Sequence, residues 1–95
     1  MSDWSVEYHV DVLNDDFPLI PRNLQLRIVK AIETRRMTAP NMYGQRLRRS
    51  LYGLWKLRVG DYRIVYEITG RRVIVKAVRN RREVYELLAK RIARA

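Results

Sequence analysis

Lys56, Arg58 and Arg63 lie on either side of a Gly60-Asp61 pair, and Tyr85 follows them in a chain with no cysteine and one histidine. That inventory excludes most catalytic chemistry. A thiolate nucleophile is absent, His9 stands without a nucleophile partner, and the acids are too scattered for a metal cluster. The glycines Gly44, Gly53, Gly60 and Gly70 are spaced as turns, not as a phosphate-cradling loop. RNA cleavage needs none of these. The ribose 2′-OH attacks its own neighbouring phosphate once a base takes its proton and cations stabilise the charge growing on phosphorus. Lys and Arg supply the second function; a Lys or Tyr whose pKa is depressed by cationic neighbours supplies the first. Lys56 between Arg58 and Arg63 meets that description. Tyr85 is the other candidate, weighed equally against a plain packing role beside Leu88. No metal and no cofactor is called for.

These side chains need elements to position them. Gly60-Asp61 separates two strand-like runs and reads as a two-residue hairpin turn. Val59 then opposes Tyr62, Leu57 opposes Ile64 and Trp55 opposes Tyr66, which makes one face apolar. The other face receives Arg58 opposite Arg63 and Lys56 opposite Val65. Two arginines directly across a strand pair repel each other, and an anion between them relieves the repulsion. Val73, Val75 and Ala77 in the following run extend the apolar face, so Lys76 joins the cationic one, with Glu67 as its main offset. The bland alternative is a solvated face whose arginines serve only solubility.

The rest of the chain supplies the frame. Trp4, Val6, Tyr8 and Val10 alternate with polar residues as in a half-buried strand. Val12 to Phe17 reads as a short helical turn ended by Pro18 and Pro21. From Pro21 to about Arg36, Leu24, Ile28, Ala31 and Ile32 recur at helical spacing, widened by Leu26 and Val29. Pro21 suits the first turn, and Arg35 and Arg36 suit the negative end of the dipole. Thr38-Ala39-Pro40 stops this helix. Asn41 to Gly53 is a basic connection of unassigned conformation. Strands follow at Leu54–Val59, Tyr62–Thr69 and Arg72–Val78. Asn80, with Glu83 three residues on, caps a last helix whose buried stripe is Val84, Leu87, Leu88 and Ile92, with Glu86 and Lys90 paired on its surface. The order β-α-α-β-β-β-α defines an α+β fold: a small antiparallel sheet, two N-terminal helices and a C-terminal helix, in a single domain over residues 1–95.

Charge narrows the choice of partner. The 95 residues carry 20 Lys+Arg against 10 Asp+Glu, a formal net charge of +10. Asp3, Glu7, Asp11, Asp15 and Asp16 precede every cation, so the remainder is far more basic than the average. Such a field concentrates polyanions: nucleic acid first, a strongly acidic protein second. Arg outnumbers Lys 16 to 4, which favours phosphate, because the guanidinium fork binds phosphate oxygens two at a time. No run approaches the ~18–20 apolar residues of a membrane span. The first residues lack the basic and apolar regions of a secretory signal, and zero Cys suits a reducing compartment, so a cytoplasmic location is expected.

The run Leu54-Trp55-Lys56-Leu57-Arg58-Val59-Gly60-Asp61-Tyr62-Arg63-Ile64-Val65-Tyr66 resembles the central signature of the RelE/ParE superfamily of bacterial and archaeal toxins. Arg79-Asn80-Arg81-Arg82-Glu83-Val84-Tyr85 is similar to its C-terminal signature, and the element order is shared. The resemblance implies a RelE-like architecture and the toxin of a type II toxin–antitoxin system. For the RelE branch it implies a metal-independent endoribonuclease that cuts mRNA in the ribosomal A site. Attack by the 2′-OH leaves a 2′,3′-cyclic phosphate and a 5′-OH. By position, Lys56 would be the general base or charge stabiliser, Arg63 and Arg79 would stabilise the scissile phosphate, and Tyr85 would stack on or orient a base. Arg58 and Arg81 would bind RNA backbone, with Arg46, Arg48, Arg49 and Lys76 completing the RNA-binding set.

The implied partners are a RelB-like antitoxin that covers the basic face, the 70S ribosome with its mRNA, and operator DNA for the toxin–antitoxin complex. Two positions depart from the RelE pattern. Leu54 stands where a second lysine is usual, and Asn80 where related members often carry His. ParE-branch members instead poison DNA gyrase without nuclease chemistry and generally lack the full Lys/Arg/Tyr set. Retention of Lys56, Arg63, Arg79 and Tyr85 together favours RelE. The remaining alternative is a non-catalytic basic module that binds nucleic acid or protein.

Overall fold

A computed structural model describes residues 4–36, 45–47 and 53–94. Strand β1 (Ser5–Tyr8) leads into a π-helical turn (Val12–Asp16), a 3-10 turn (Phe17–Leu19) and helix α1 (Arg22–Arg36). Strands β2 (Gln45–Arg46), β3 (Leu54–Val59), β4 (Tyr62–Thr69) and β5 (Arg72–Asn80) follow, and helix α2 (Val84–Arg94) closes the chain. The α+β class and the element order match the sequence reading. Thr38-Ala39-Pro40 and most of the Asn41–Gly53 connection lie outside the described residues.

The sheet has five strands in the order β1-β5-β4-β3-β2. β3, β4 and β5 pair antiparallel as expected, and β2, a two-residue strand inside the connection left unassigned, adds an antiparallel edge; β1 joins the open edge of β5 in parallel, so the sheet is mixed. Alternation of side chains has no direction, which is why it could not reveal this. β1 is also shorter than its pattern. The His9 amide makes a last bond to the Val75 carbonyl, after which the Val12 amide turns back to the His9 carbonyl. Val10 is thereby carried out of the strand into solvent.

The hairpin register is the expected one: Val59 faces Tyr62, Leu57 faces Ile64, Trp55 faces Tyr66, and Arg58 faces Arg63. Gly60 has φ 57° at the β3–β4 turn, in the left-handed region where a Cβ costs about 1 kcal/mol. Between β4 and β5 the register slips: Val65 pairs with Ala77, but Tyr66 pairs with Val75. Lys76 is the extra residue of this bulge. Its presence inverts the alternation, so Ala77 leaves the face of Val73 and Val75 and lies on the other. Unbroken alternation had placed all three together. β5 also continues to Asn80 instead of stopping at Val78.

Each face of the sheet has its own helix. Ile28 and Ile32 of α1, with Val12 and Ile20, pack on Leu57, Ile64, Tyr66, Val73, Val75 and Val78. Val84 and Leu88 of α2 pack on Val65, Ala77 and Leu47, with Leu54 and Tyr85 at the margin. Burial of such aliphatic side chains contributes about 1.5–3 kcal/mol each. The stripe of α2 differs from expectation. Val84, Leu88 and Arg91 are buried, Leu87 is only half-buried, and Ile92 remains 46% exposed. Leu26, read as widening the apolar face of α1, is likewise exposed. Asn80 is not the cap expected of it, since it ends β5 and α2 begins only at Val84; it organises the turn between them instead, its Oδ1 accepting the Arg82 amide and its carbonyl the Glu83 amide, each at 3.0 Å.

Candidate functional site

β3, β4 and β5 place Arg58, Arg63 and Arg79 in one row, each directly opposite the next. One row further from the hairpin turn stand Lys56, Val65 and Ala77. Val65 and Ala77 carry α2, so the helix covers the middle of this face and leaves the cations around its first turn. Arg58 is exposed, while Lys56 and Arg63 are half-buried. The Arg63 Nη1 donates to the carbonyls of Gly60 (3.1 Å) and Tyr62 (3.0 Å), which holds its guanidinium at the turn. The Arg81 amide donates to the Asp61 carbonyl at 2.8 Å, tying the segment after β5 to the same turn.

Tyr85 sits in the first turn of α2, on the flank that faces β3. The Lys56 Nζ lies 5.9 Å from the centre of its ring, a cation–π contact worth about 0.5–1 kcal/mol where partly exposed. Tyr85 also packs at the edge of the α2 core, so its packing role and its proximity to the cations coexist. Leu54, at the position of the second family lysine, packs against that same core. Its apolar character thus serves the docking of α2.

Arg79 is held differently. Its Nε donates to the Asp16 Oδ1 at 2.7 Å, its Nη2 to the Asp15 carbonyl at 3.2 Å, and its Nη1 lies 3.7 Å from the Glu83 Oε2. Asp16 is fully buried. Its Oδ2 accepts the Val78 amide and the Arg91 Nη1, both at 2.9 Å, and its Oδ1 also accepts the Arg91 Nη2 at 2.6 Å. Burial disfavours the charge on Arg91, but the Asp16 hydrogen bonds and nearby acids outweigh it and raise its pKa above the ordinary arginine value. Sequence reasoning missed both Asp16 and Arg91. The one available signal was Arg91 falling on the Val84–Leu88 stripe at the i+7 position.

The remaining expected residues are spread more widely. Arg46 pairs across from Trp55 and lies 5.0 Å above its ring, which turns it toward the face opposite Lys56. Lys76 stands 4.0 Å from the Glu67 carboxylate, the offset anticipated for it. Arg48 and Arg49 lie outside the described residues. His9 accepts the Asp11 amide through Nδ1 at 3.1 Å, a local turn contact.

Ion pairing sorts the cations into two groups. The early acids fold back onto the basic half: Glu7 binds Arg72 at 2.6 Å, Asp16 binds Arg79 and Arg91, and Asp11 lies 3.8 Å from Arg91. Lys76 and Lys90 have Glu67 and Glu86. Among the described residues, Lys56, Arg58, Arg63, Arg81 and Arg82 stand around the β3–β4 turn and the start of α2 without a carboxylate partner; Arg22, Arg27 and Lys30 of α1 and Arg46 of β2 lack one as well, but lie away from that turn.

On the opposite flank of α2, a groove of about 570 Å³ is lined by Pro18, Leu19, Leu87 and Lys90, with Arg79 and Arg91 in its wall. Among the described residues, no three His, Cys, Asp or Glu side chains are grouped to hold a metal, and no helix is long and apolar enough to cross a membrane.

Residues 6–85 match the sequence model of a family described as the ParE toxin of type II toxin–antitoxin systems, parDE. Among solved structures, a chain of the toxin–antitoxin complex RelBE2 from Mycobacterium tuberculosis is 25% identical with a TM-score of 0.77, over 85% of this chain and 94% of that one. A chain of the RelB–RelE antitoxin–toxin complex from Methanococcus jannaschii is 19% identical with a TM-score of 0.61, over 85% and 96% respectively, a likeness of fold. No curated protein matches the sequence. The family match runs from β1 to Tyr85 and so takes in the cationic hairpin and the turn before α2, which makes the chain a member of the ParE toxin family of type II toxin–antitoxin systems, within the RelE/ParE superfamily.

Proposed function

We propose that this toxin is a ribosome-dependent endoribonuclease that cuts mRNA by 2′-OH attack, and that a RelB-like antitoxin neutralises it. One observation carries the reading: Arg58 and Arg63 face each other without a carboxylate between them, beside the Lys56–Tyr85 pair. A scissile phosphate seated over that row relieves the repulsion and gains charge-assisted hydrogen bonds. Arg63 and Arg79 then stabilise the charge that grows on the phosphoryl oxygens, and Arg58 and Arg81 hold the flanking backbone. Lys56 removes the 2′-OH proton or stabilises the charge on the attacking oxygen. Tyr85 offers its ring to a base. No group in this scheme needs a metal.

The antitoxin reading rests on the neighbours, both solved as toxin–antitoxin complexes. An acidic antitoxin segment laid across the unpaired cations would block RNA, and both macromolecules would meet the toxin in the cytoplasm. Operator DNA is a further ligand for the complex.

Primer extension on cellular mRNA after induction tests the nuclease reading. New 5′ ends within codons occupying the A site are expected, and they should disappear in Arg63→Ala, since removing one preorganised donor costs roughly 10²–10³ in rate. Intact messages at growth-arresting protein levels would reject it. A second reading, inhibition of DNA gyrase, is favoured by the ParE family match and by Leu54 in place of the second lysine. It predicts gyrase-dependent plasmid cleavage and an SOS response with messages left whole.

A further inference from the structure

We propose that Asp16 is a positioning residue that sets the guanidinium of Arg79 for phosphate binding, an inference that rests on reading the arginine row as a phosphate site. Arg79 occupies the end of that row, where Arg63 across the strand pair repels it. A long, cationic side chain in such a place swings away unless something holds it. Asp16 does so from beside β5. It is itself fixed by the Val78 amide, the backbone donor immediately before Arg79, and by two nitrogens of Arg91.

The bonding pattern leaves Arg79 usable. A guanidinium has five N–H donors in a fixed fork. Nε serves Asp16, and Nη2 gives one hydrogen to the Asp15 carbonyl. Nη1 has only Glu83 near it, at 3.7 Å, beyond hydrogen-bond range. Both Nη1 hydrogens therefore remain for an anion. Arg91 shares the same carboxylate, while Asp11 at 3.8 Å from Arg91 and Glu83 at 3.7 Å from Arg79 offset the two cations, so what Arg79 offers an anion is its free donors more than net charge. The Arg79 side chain is 17% exposed. The competing account makes Asp16 only a rivet, joining α2 to the N-terminal turn through Arg91.

A double-mutant cycle separates the two accounts. Wild type, Asp16→Asn, Arg79→Ala and the double variant are compared in two assays: affinity for a short single-stranded RNA, and cleavage of mRNA on programmed ribosomes. Positioning predicts that Asp16→Asn costs about tenfold in the wild-type background and close to nothing once Arg79 is alanine. Equal losses in both backgrounds overturn the proposal. Arg79→Lys covers the case in which Asp16→Asn fails to fold. It keeps the charge but loses the fork, so it should lose as much as Arg79→Ala. Wild-type performance from Arg79→Lys also overturns the proposal. A wild-type protein that binds RNA and leaves messages whole rejects the nuclease reading instead, and the binding cycle still decides the role of Asp16.

Discussion

Arg58 and Arg63 sit directly across β3 from β4, and among the described residues no acid lies between them. The pair places repulsion at the mouth of the hairpin, where nothing in the core requires a charge. Arg79 continues the row on β5, but only Arg79 is given a buried carboxylate. Arg58 and Arg63 are thus left without a carboxylate, Arg63 being anchored by the Gly60 and Tyr62 carbonyls, and Arg79 is held by an acid beside them. That asymmetry suits a site awaiting an anion better than it suits a surface selected for solubility.

Removing one member of the pair should therefore stabilise the free protein. Arg58→Gln is expected to gain about 0.2–1 kcal/mol in urea unfolding at low salt, because like charges directly opposite are destabilising by that amount. The gain should shrink as salt rises. The same variant should bind RNA more weakly. Lower stability in Arg58→Gln at low salt would show that the arginine makes favourable contacts instead.

RNA affinity should depend steeply on salt. Each phosphate neutralised by Lys or Arg releases counterions, with a slope near −0.7 per contact for single strands. Neutralising Arg58 or Arg81 should reduce the slope of log affinity against log salt by roughly one such unit, whatever the RNA sequence. Fluorescence anisotropy titrations between low and moderate salt measure this directly. An unchanged slope would place the contact elsewhere.

The Tyr85 ring and hydroxyl can be separated. If the ring works by stacking on a base, Tyr85→Phe retains RNA affinity and Tyr85→Ala loses about 1–3 kcal/mol of it. Tyr85→Ala also removes the surface over which Lys56 rests and part of the α2 margin. Melting temperature should therefore be followed alongside affinity. Loss of cleavage in Tyr85→Phe with binding intact would instead assign the hydroxyl to proton transfer.

How much of this was legible beforehand follows the range of each interaction. The hairpin register was readable because a two-residue turn with glycine at positive φ ties pairing to sequence, residue by residue. Lys56, Arg58 and Arg63 could be placed on one face for that reason. The bulge at Lys76 was not readable, since one extra residue in a strand leaves no mark in composition, and it moved Ala77 to the other face. Parallel pairing of β1 escaped because alternation has no polarity. Asp16 and Arg91 escaped because their contact joins opposite ends of the chain. A charged residue at an otherwise apolar stripe position is only half of a pair, and nothing local identifies the other half. The early acids looked like a separate negative segment; folding spends them on Arg72, Arg79 and Arg91.

Tyr8 provides a test of the fold independent of any RNA. Its hydroxyl is buried without a hydrogen-bond partner, and burial, with the Glu33 charge adding to it, raises its pKa to about 12. An exposed tyrosine in the unfolded chain ionises near ~10. Between those values the unfolded chain has released the proton while the folded one still holds it, so stability falls as pH rises. Below that window the contribution is fully present. Tyr8→Phe should therefore flatten the alkaline limb of a stability-against-pH curve while leaving the neutral region equal or slightly better, because an unpaired buried hydroxyl is removed. The ring contact with Phe17, 5.9 Å between centroids, is preserved in that variant. Urea melts at a series of pH values from neutral to strongly alkaline give the comparison, and identical alkaline limbs for the two proteins would mean that Tyr8 ionises freely in the folded chain.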